Sequence, residues 1–360
     1  MKQMTAAEAV DLLKRLIATP SLSGGEEGTA EILTHELEGR GVAVRRHFNN
    51  VWALSEGYDA TKPTLMLNSH QDTVRPSAHY TRNPFEPTLE NGVLYGLGSN
   101  DAGASLVSLL VTFCNHADTS ALPYNLLLAL TAEEENMGER GMRAFLPHLA
   151  EQGIGVDMVL VGEPTSMQAA VGERGLVVLD CVARGRSGHA ARNEGDNALY
   201  KAIADIERLR DYHFEKTSEV LGDIKLTVTQ IAAGTQHNMV PDECRFVVDV
   251  RTTDAYTNEQ VVELLQSVVE CEAVPRSTRV RASSISPSHP LVASAVAIGR
   301  ETFVSPTTSD RAVMQGLPAL KMGVGESSRS HTADEFVLTS EIEEGIAIYD
   351  KLLEELCNRL

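Results

Sequence analysis

Residues 63–74 read PTLMLNSHQDTV, an apolar strand that ends in a histidine and, two residues later, an aspartate. In extended backbone, residues two apart point to the same face, so His70 and Asp72 would lie side by side just beyond the strand. Polar side chains at the end of an apolar strand make these two residues candidates for a functional site. A hydrogen-bonded core histidine is the simpler alternative for His70 taken alone.

Two further apolar stretches in the first half of the chain also end in acids. They are YNLLLALTAEEE at 124–135 and VDMVLVGEPT at 156–165, and amphipathic or apolar helices are predicted within 23–41 and 104–117. Open α/β sheets place their binding sites outside the carboxyl ends of the strands. The first half therefore predicts an α/β fold with its site at that edge.

A second pattern begins after residue 173. Residues 174–284 predict strand, helix, two strands, helix and strand, with STRVRASSIS (277–286) supplying the last strand. Helical patterns that follow would return to the first domain. The predicted organisation is a catalytic domain formed by residues 1–173 and 285–360 and an inserted α+β domain at 174–284.

Composition limits the classes of function. The chain has 360 residues, 42% hydrophobic, and 31 Lys+Arg against 50 Asp+Glu for a formal charge of -19. That charge disfavours nucleic acid and anionic membranes as partners. Five scattered cysteines without a CxxC motif indicate reduced thiols rather than a disulfide framework. Because no apolar run approaches about 20 residues, a cytoplasmic protein is the default expectation.

Several polar residues at separate strand ends and loops could bind a metal. They are His70, Asp72, Asp101, Glu133, Glu134, Glu135, Glu163 and His331. Each has an ordinary alternative, such as a helix cap for Asp101 or a solvated charge run for the three consecutive glutamates. Together, imidazoles and carboxylates without thiolates favour zinc, cobalt or manganese.

Seven motifs, in order and at matching spacing, resemble the M20 family of two-metal aminoacylases and metallopeptidases. They are HQDT, YGLGSNDAG, TAEEE, VGEPT, GHAA, NMVPDECRFVVDVR and SHTADEF. The GEPT form and the chain length are most similar to the acetylornithine deacetylase and succinyl-diaminopimelate desuccinylase branch. The resemblance implies a zinc-peptidase-like α/β catalytic domain, in which helices flank a mixed sheet. It also implies that the inserted domain is a ferredoxin-like lid and dimerisation domain.

The same resemblance implies a ligand set for two divalent ions per chain, with Zn or Co expected. Asp101 would bridge the ions, His70 and Glu163 would complete one, and Glu135 and His331 the other.

Three more residues receive catalytic roles by the same resemblance. Asp72 would orient the imidazole of His70, and Glu134 would be the general base. Glu133 stands where the family more often has Asp. His189 would stabilise the oxyanion in the active site of the other subunit of a homodimer, which explains a catalytic-looking GHAA motif in a domain without metal ligands.

The substrate side is less specific. A bidentate arginine suits the α-carboxylate of an N-acyl amino acid, although each arginine could instead form a salt bridge between domains. The candidate substrate-binding residues are Arg174, Asn238, Arg251, Thr308, Ser309, Arg311 and Arg329. Arg329, two residues before His331, could receive a dicarboxylic acyl group, which would favour succinyl over acetyl.

The predicted function is a metal-dependent amidohydrolase, similar to acetylornithine deacetylase and acting on linear amides. It would remove acetyl or succinyl from the α-nitrogen of ornithine, citrulline or a related amino acid in arginine biosynthesis. Alternatives are a succinyl-diaminopimelate desuccinylase and a dipeptidase or carboxypeptidase. A non-catalytic relative that binds acyl-amino acids is the alternative from another class, and it is disfavoured because Glu134 and every ligand position are filled.

Overall fold

A computed structural model describes residues 2–360 of the chain. Its helices are α1 (Ala6–Ile17), α2 (Glu27–Gly39), α3 (Ala104–Asn115), α4 (Met142–Glu151), α5 (Ala198–Arg210), α6 (Asn258–Val268), α7 (Pro290–Ala297) and α8 (Thr339–Cys357). Its strands are β1 (Val44–His47), β2 (Asn50–Leu54), β3 (Thr64–His70), β4 (Thr88–Glu90), β5 (Val93–Tyr95), β6 (Asn125–Thr131), β7 (Met158–Val161), β8 (Ala169–Glu173), β9 (Gly175–Arg184), β10 (Gly188–His189), β11 (Lys225–Ala233), β12 (Met239–Val240), β13 (Glu243–Thr252), β14 (Glu272–Pro275), β15 (Ser283–Ser284), β16 (Thr302–Ser305), β17 (Ala319–Lys321) and β18 (Phe336–Leu338).

The chain forms two compact units. The first comprises Met1–Val171, Ile285–Phe303 and Ser309–Leu360, and the second comprises Gly172–Ser284 and Val304–Thr308. The roles predicted for the two domains, metal-binding catalysis and a lid or dimerisation surface, stay predictions.

A mixed sheet forms the centre of the first unit, in the order β1-β2-β6-β3-β7-β17-β8. The pairs β6-β3, β3-β7 and β7-β17 are parallel, whereas β1-β2, β2-β6 and β17-β8 are antiparallel. All residues of β3 and β6 are buried, which explains why both read as continuous apolar runs rather than alternating ones.

The helices of the first unit follow from local sequence signals. α1 begins with a capping box. The Thr5 side chain accepts a hydrogen bond from the backbone N–H of Glu8, and the Glu8 carboxylate accepts one from the backbone N–H of Thr5. α3 is mostly apolar, and every residue from Ala104 to Cys114 is buried. It packs against β3, α1 and α8 and so supports the strand that ends at His70.

The second unit has the element order β9-α5-β11-β13-α6-β14 and an antiparallel sheet in the order β11-β13-β9-β14. This is the βαββαβ arrangement of a ferredoxin-like module. Alternate residues of β9, Val177, Leu179, Cys181 and Ala183, are buried against α5 and α6. The predicted α+β character of this segment is confirmed.

The position predicted for the last strand of that module was wrong. β14 lies at Glu272–Pro275, before STRVRASSIS, and pairs with β9 so that Ala273 stands opposite Cys181 in the core. Within residues 277–286, only Ser283–Ser284 form a strand, which pairs with the end of β8. The segment directly after α6 reaches the free edge of β9 through a short connection, and hydrophobic alternation cannot distinguish two successive short candidates.

Candidate metal centre

Several strand ends converge at one edge of the first unit's sheet. β3 and β6 run in parallel register with His70 opposite Thr131, and β3 pairs with β7 so that Asn68 stands opposite Val161. The segments that follow these strands therefore leave the sheet together, and they carry Asp72, the Glu133–Glu135 run and Glu163. This is the edge at which the sequence predicts a site.

Asp101 lies between the two predicted histidine ligands. The Nε2 of His70 is 3.4 Å from Oδ1 of Asp101, and the Nε2 of His331 is 3.6 Å from Oδ2. The two oxygens of one carboxylate thus face two different imidazoles, which is the placement that a bridging ligand needs.

A short π-helical turn, Ser99–Gly103, presents the Asp101 side chain. It follows Gly98, whose φ of 75° is a conformation that glycine adopts without strain. A Cβ at Gly98 would also lie 2.6 Å from Cγ2 of Thr73, so a larger residue there would require Thr73 to move. The peptide bond between Asp101 and Ala102 is cis.

Within residues 2–360, two groups of side chains have donor atoms close enough together to hold a metal ion. One is His70, Glu134 and Glu163, and the other is His70, Asp101 and Glu135, with the donor atoms of each group within 4.8 Å of one another. His331 adjoins the second group, because its Nε2 is 3.0 Å from Oε2 of Glu135. The structure thus brings together all five residues predicted as ligands.

Asp72 contacts the imidazole of His70 and also the segment that carries the predicted base. The Nδ1 of His70 is 2.9 Å from the backbone oxygen of Asp72 and 3.4 Å from its Oδ1. The backbone N–H groups of Glu134 and Glu135 donate to the Asp72 carboxylate over 3.0 and 3.1 Å, and the Ser23 hydroxyl donates over 2.7 Å. An Nδ1–H directed at Asp72 would leave Nε2 of His70 free to bind a metal.

Burial and crowding of like charges raise the pKa values of two acids in this cluster. The pKa of Glu163 is raised to about 8, chiefly by burial and further by the charge of Asp101. Burial also raises the pKa of Glu134 well above its ordinary value, although the charge of His70 opposes the shift.

The pKa values of the two histidines are raised, so both imidazoles retain a proton to higher pH. A hydrogen bond to Glu135 raises the pKa of His331 to about 9. Burial would lower the pKa of His70, but its hydrogen bonds to Asp101 and Asp72 outweigh burial and raise it. Protons therefore partly neutralise the crowded carboxylates, a role that cations can also fill.

The donor set fits divalent cations. Both groups consist of imidazole nitrogens and carboxylate oxygens without a thiolate, the chemistry that suits zinc, cobalt or manganese. Four carboxylates, those of Asp101, Glu134, Glu135 and Glu163, gather around His70, and positive ions would offset the cost of holding them ionised out of water.

Two acids near the centre were missed by the sequence analysis. Asp310 is buried and accepts from the Thr131 hydroxyl over 2.7 Å, and burial raises its pKa to about 6. Glu335 is also buried, accepts from backbone N–H groups around Asp101, and has its pKa raised by burial to about 7. Acids in polar loops are usually solvated, so the only signal for Glu335 was its place in SHTADEF.

Three of the predicted substrate-binding arginines already have partners. Arg311 is fully buried and donates to the backbone oxygens of Ala170 and Val171. Arg174 donates to the backbone oxygens of Leu221 and Asp223. Arg251 is exposed on β13 and pairs with Asp249 over 2.7 Å. The burial of Arg311 argues against its prediction as a carboxylate-binding residue, because its guanidinium donates to the backbone.

Arg329 also has a structural partner, which argues against its predicted contact with an acyl carboxylate. Its guanidinium forms a bidentate pair with Glu341, over 2.7 and 3.1 Å, and lies 4.6 Å from the centre of the Phe336 ring. A salt bridge between domains was the alternative predicted for the arginines, whereas this pair lies within the first unit. The guanidinium tethers the His331 loop to α8.

The remaining candidates are divided between the two units. In the second unit, His189 is exposed on β10 opposite Met239, and the backbone oxygen of Asn238 accepts from the Ala190 N–H, so the two predicted residues are neighbours. Thr308 is half-buried. Ser309 is fully buried and caps the short helical turn Asp310–Ala312, which argues against direct contact with substrate.

Comparison with known proteins identifies the family of this chain. A sequence profile of peptidase family M20/M25/M40 matches residues 66–355. The chain belongs to this family.

Within residues 2–360, no helix of the chain combines the length and the apolar character needed to cross a lipid bilayer.

Curated relatives match nearly the whole length of this chain. Succinyl-diaminopimelate desuccinylase from Delftia acidovorans is 26% identical over 97% of this chain and 98% of the relative. The enzyme of the same name from Caulobacter sp. is 27% identical over 96% and 95%. Succinyl-diaminopimelate desuccinylase is the first of the alternative functions predicted from the sequence.

Solved structures show the same fold. Aminopeptidase PepT from Bacillus cereus superimposes with a TM-score of 0.76 at 18% identity, covering 98% of this chain and 99% of that one. The Bacillus subtilis YXEP protein, described as a dinuclear metal-binding peptidase, gives a TM-score of 0.71 at 16% identity over 99% of both chains. The predicted family and fold class are confirmed. Family membership and the donor set make this chain a metal-dependent hydrolase.

Proposed function

We propose that the chain is a di-metal amidohydrolase that removes a short acyl group, acetyl or succinyl, from the α-nitrogen of ornithine, citrulline or a related amino acid. The observation that carries the proposal is the position of Asp101, whose two oxygens face His70 and His331 at 3.4 and 3.6 Å. A carboxylate shared in this way is typical of two-metal hydrolytic sites.

Five residues would hold the two ions. We assign His70, Asp101 and Glu163 to one ion and Asp101, Glu135 and His331 to the other, with Zn or Co the best match to these donors. When bound, the ions would polarise the amide carbonyl and lower the pKa of a water molecule at the site.

Glu134 is the proposed general base. It is buried, and its Oε2 is 3.9 Å from Nε2 of His70, farther than the 3.4 Å of Glu163. Its carboxylate would take a proton from water as the water oxygen attacks the carbonyl carbon. As the C–N bond breaks, the same carboxyl group would return that proton to the leaving nitrogen.

The oxyanion would receive a hydrogen bond from His189 of a second subunit. His189 is exposed in the second unit, so its imidazole is accessible to another chain. We propose a homodimer formed through the inserted domain, in which this histidine completes the partner's site. For the α-carboxylate we propose Arg251 and Asn238, which are both exposed.

A succinyl-diaminopimelate desuccinylase is the second candidate. The Delftia and Caulobacter relatives bear that name and match 97% and 96% of this chain, at 26% and 27% identity. A change of acyl group or amino-acid side chain needs only a few pocket residues, so such similarity supports the reaction class more strongly than the substrate.

The test is amine release from a matched set of substrates. Purified protein loaded with Zn or Co would be given Nα-acetyl- and Nα-succinyl-ornithine, the two citrulline analogues and N-succinyl-diaminopimelate, with Glu134→Gln as the background control. Hydrolysis of an ornithine or citrulline compound with the highest kcat/KM supports the first candidate. A preference for succinyl-diaminopimelate selects the second. Failure to release amine from any compound, with binding retained, contradicts both and favours a non-catalytic relative.

A further inference from the structure

Glu335 holds the turn that presents Asp101. Its Oε1 accepts from the backbone N–H groups of Asn100 and Asp101 over 2.8 and 2.9 Å, and its Oε2 accepts from that of Gly98 over 3.1 Å. The residue is 2% exposed, so water does not compete effectively for these contacts. One carboxylate thus satisfies three backbone donors within four consecutive residues.

Those donors would otherwise be left unpaired in a buried turn. Buried backbone N–H groups need partners, and hydrogen bonds to a carboxylate are stronger than neutral ones. Asp101 is itself part of the turn, so the orientation of its peptide influences where its two carboxylate oxygens point. Fixing the N–H of Asp101 therefore restrains the position of its side chain.

Glu335 also connects the turn to the second predicted metal ligand. It lies four residues after His331, and its backbone oxygen accepts from the N–H of Gly96 over 3.0 Å. The segment that carries His331 and the segment that carries Asp101 are therefore joined through both the backbone and the side chain of Glu335.

We infer that Glu335 is a positioning residue for the metal centre: its carboxylate fixes the Gly98–Asp101 turn so that the two oxygens of Asp101 face His70 and His331. The inference rests on the proposed two-metal function, but it concerns how the ligands are arranged rather than which substrate is hydrolysed. Outer partners that orient metal ligands affect metal affinity without touching the ion.

Asp334 offers a matched control next to it in the chain. Its Oδ1 accepts from the backbone N–H groups of Thr81 and Arg82 over 2.9 Å each, so it too holds a loop by accepting backbone hydrogens. It makes no hydrogen bond to the Asp101 turn among the contacts of residues 2–360. If the Glu335 carboxylate acted only by keeping the His331 loop folded, the changes at Glu335 and at Asp334 would have similar effects. Misplacement of Asp101 would follow only from a change at Glu335.

The experiment compares Glu335→Gln with Asp334→Asn in the full chain. An amide at 335 keeps one acceptor oxygen and turns an NH₂ group toward the remaining N–H, so at least one of the three hydrogen bonds is lost. In metal-free protein, hydrogen exchange at residues 98–101 should become faster in Glu335→Gln only. Zinc affinity, measured by competition with a chromogenic chelator, should fall about 10- to 100-fold in Glu335→Gln. In Asp334→Asn it should stay near wild type.

Partial rescue distinguishes positioning from a general effect on folding. Glu335→Asp keeps the charge and both acceptor oxygens, so it should recover part of the zinc affinity lost in Glu335→Gln. If Glu335→Gln does not fold, the same measurements are made on Glu335→Asp. Unchanged exchange at 98–101 with wild-type zinc affinity would overturn the inference, as would equal losses in Asp334→Asn. A wild-type protein that binds zinc but hydrolyses none of the acyl-amino acids would overturn the proposed function alone.

Discussion

The backbone N–H of Glu134 donates to Oδ1 of Asp72 over 3.0 Å, and this same oxygen lies 3.4 Å from Nδ1 of His70. A single carboxylate therefore orients a proposed ligand and also anchors the segment of the proposed base. The aspartate of the HQDT motif therefore also connects the segments that follow two neighbouring strands of the sheet.

Replacement of Asp72 by alanine should disturb both functions. Loss of the acceptor that faces His70 should reduce metal affinity about 10- to 100-fold. Turnover at saturating metal should also fall, because the Glu134 segment loses its anchor. Asp157→Ala is the control, since Asp157 accepts from the N–H of Thr64 over 2.8 Å at the opposite end of β3. A metal affinity that is equal in the two variants would contradict this account of Asp72.

Arg329 should affect stability rather than acyl selectivity. Its bidentate pair with Glu341 is only partly exposed, at 16% and 27% of the two side chains. A double-mutant cycle of Arg329→Ala and Glu341→Ala should therefore give a coupling free energy of about 0.5 to 1.5 kcal/mol in thermal unfolding. The ratio of kcat/KM for succinylated and acetylated substrates should not change. A selective loss on the succinylated substrate would restore the acyl-binding role predicted from the sequence.

Metal removal should make stability depend on pH. In metal-free protein, the pKa of Glu163 is raised to about 8 and that of His331 to about 9. A group whose pKa is raised on folding binds its proton more tightly in the folded state. Its contribution to folding stability is therefore fully present below the ordinary pKa, and it is lost as the pH rises through the raised pKa. The melting temperature in EDTA should therefore fall between pH 6 and pH 9 relative to that of the zinc-loaded protein. A difference between the two that stays constant across this range would contradict the charge-crowded cluster.

The strand ends could be predicted from the sequence because their physics is local. TLMLNSH and NLLLALT are continuous apolar runs, so both read as buried strands, and the polar residues after them had to leave the sheet at its edge. Strands of three residues, such as β5, β17 and β18, are too short for a periodic signal. For the same reason β14 was assigned to the wrong segment.

The partners of the charged residues could not be predicted. A sequence indicates that Arg329 is cationic, but only the fold brings Glu341 beside it, twelve residues later. Likewise, Glu335 and Asp310 look like solvated loop acids until the fold buries them against a backbone turn and the Thr131 hydroxyl. Burial of a polar side chain is a tertiary property, and it determines which arginines remain available for substrate.

Complementation between two inactive variants tests the proposed role of His189. Homodimers of His189→Ala and of Glu134→Gln should both be nearly inactive. In a mixed dimer, the site on the His189→Ala chain keeps its own Glu134 and receives His189 from its partner, so random pairing should make about a quarter of all sites complete. Activity that stays at the level of the parents in a verified mixed dimer would show that His189 does not act between subunits.

The central claim, that Glu134 is the base beside a two-metal site to which Glu135 contributes a ligand, is tested most directly by metal content and turnover of two adjacent variants. Glu134→Gln should retain two ions per chain and turn over at least about 100-fold more slowly, because a general base contributes roughly 10² to 10⁴ in rate. Glu135→Gln should lose metal, since Glu135 lies 3.0 Å from His331 in the ligand group. Glu133→Gln should behave like wild type. Loss of both ions from Glu134→Gln, or full activity in that variant, would contradict the account.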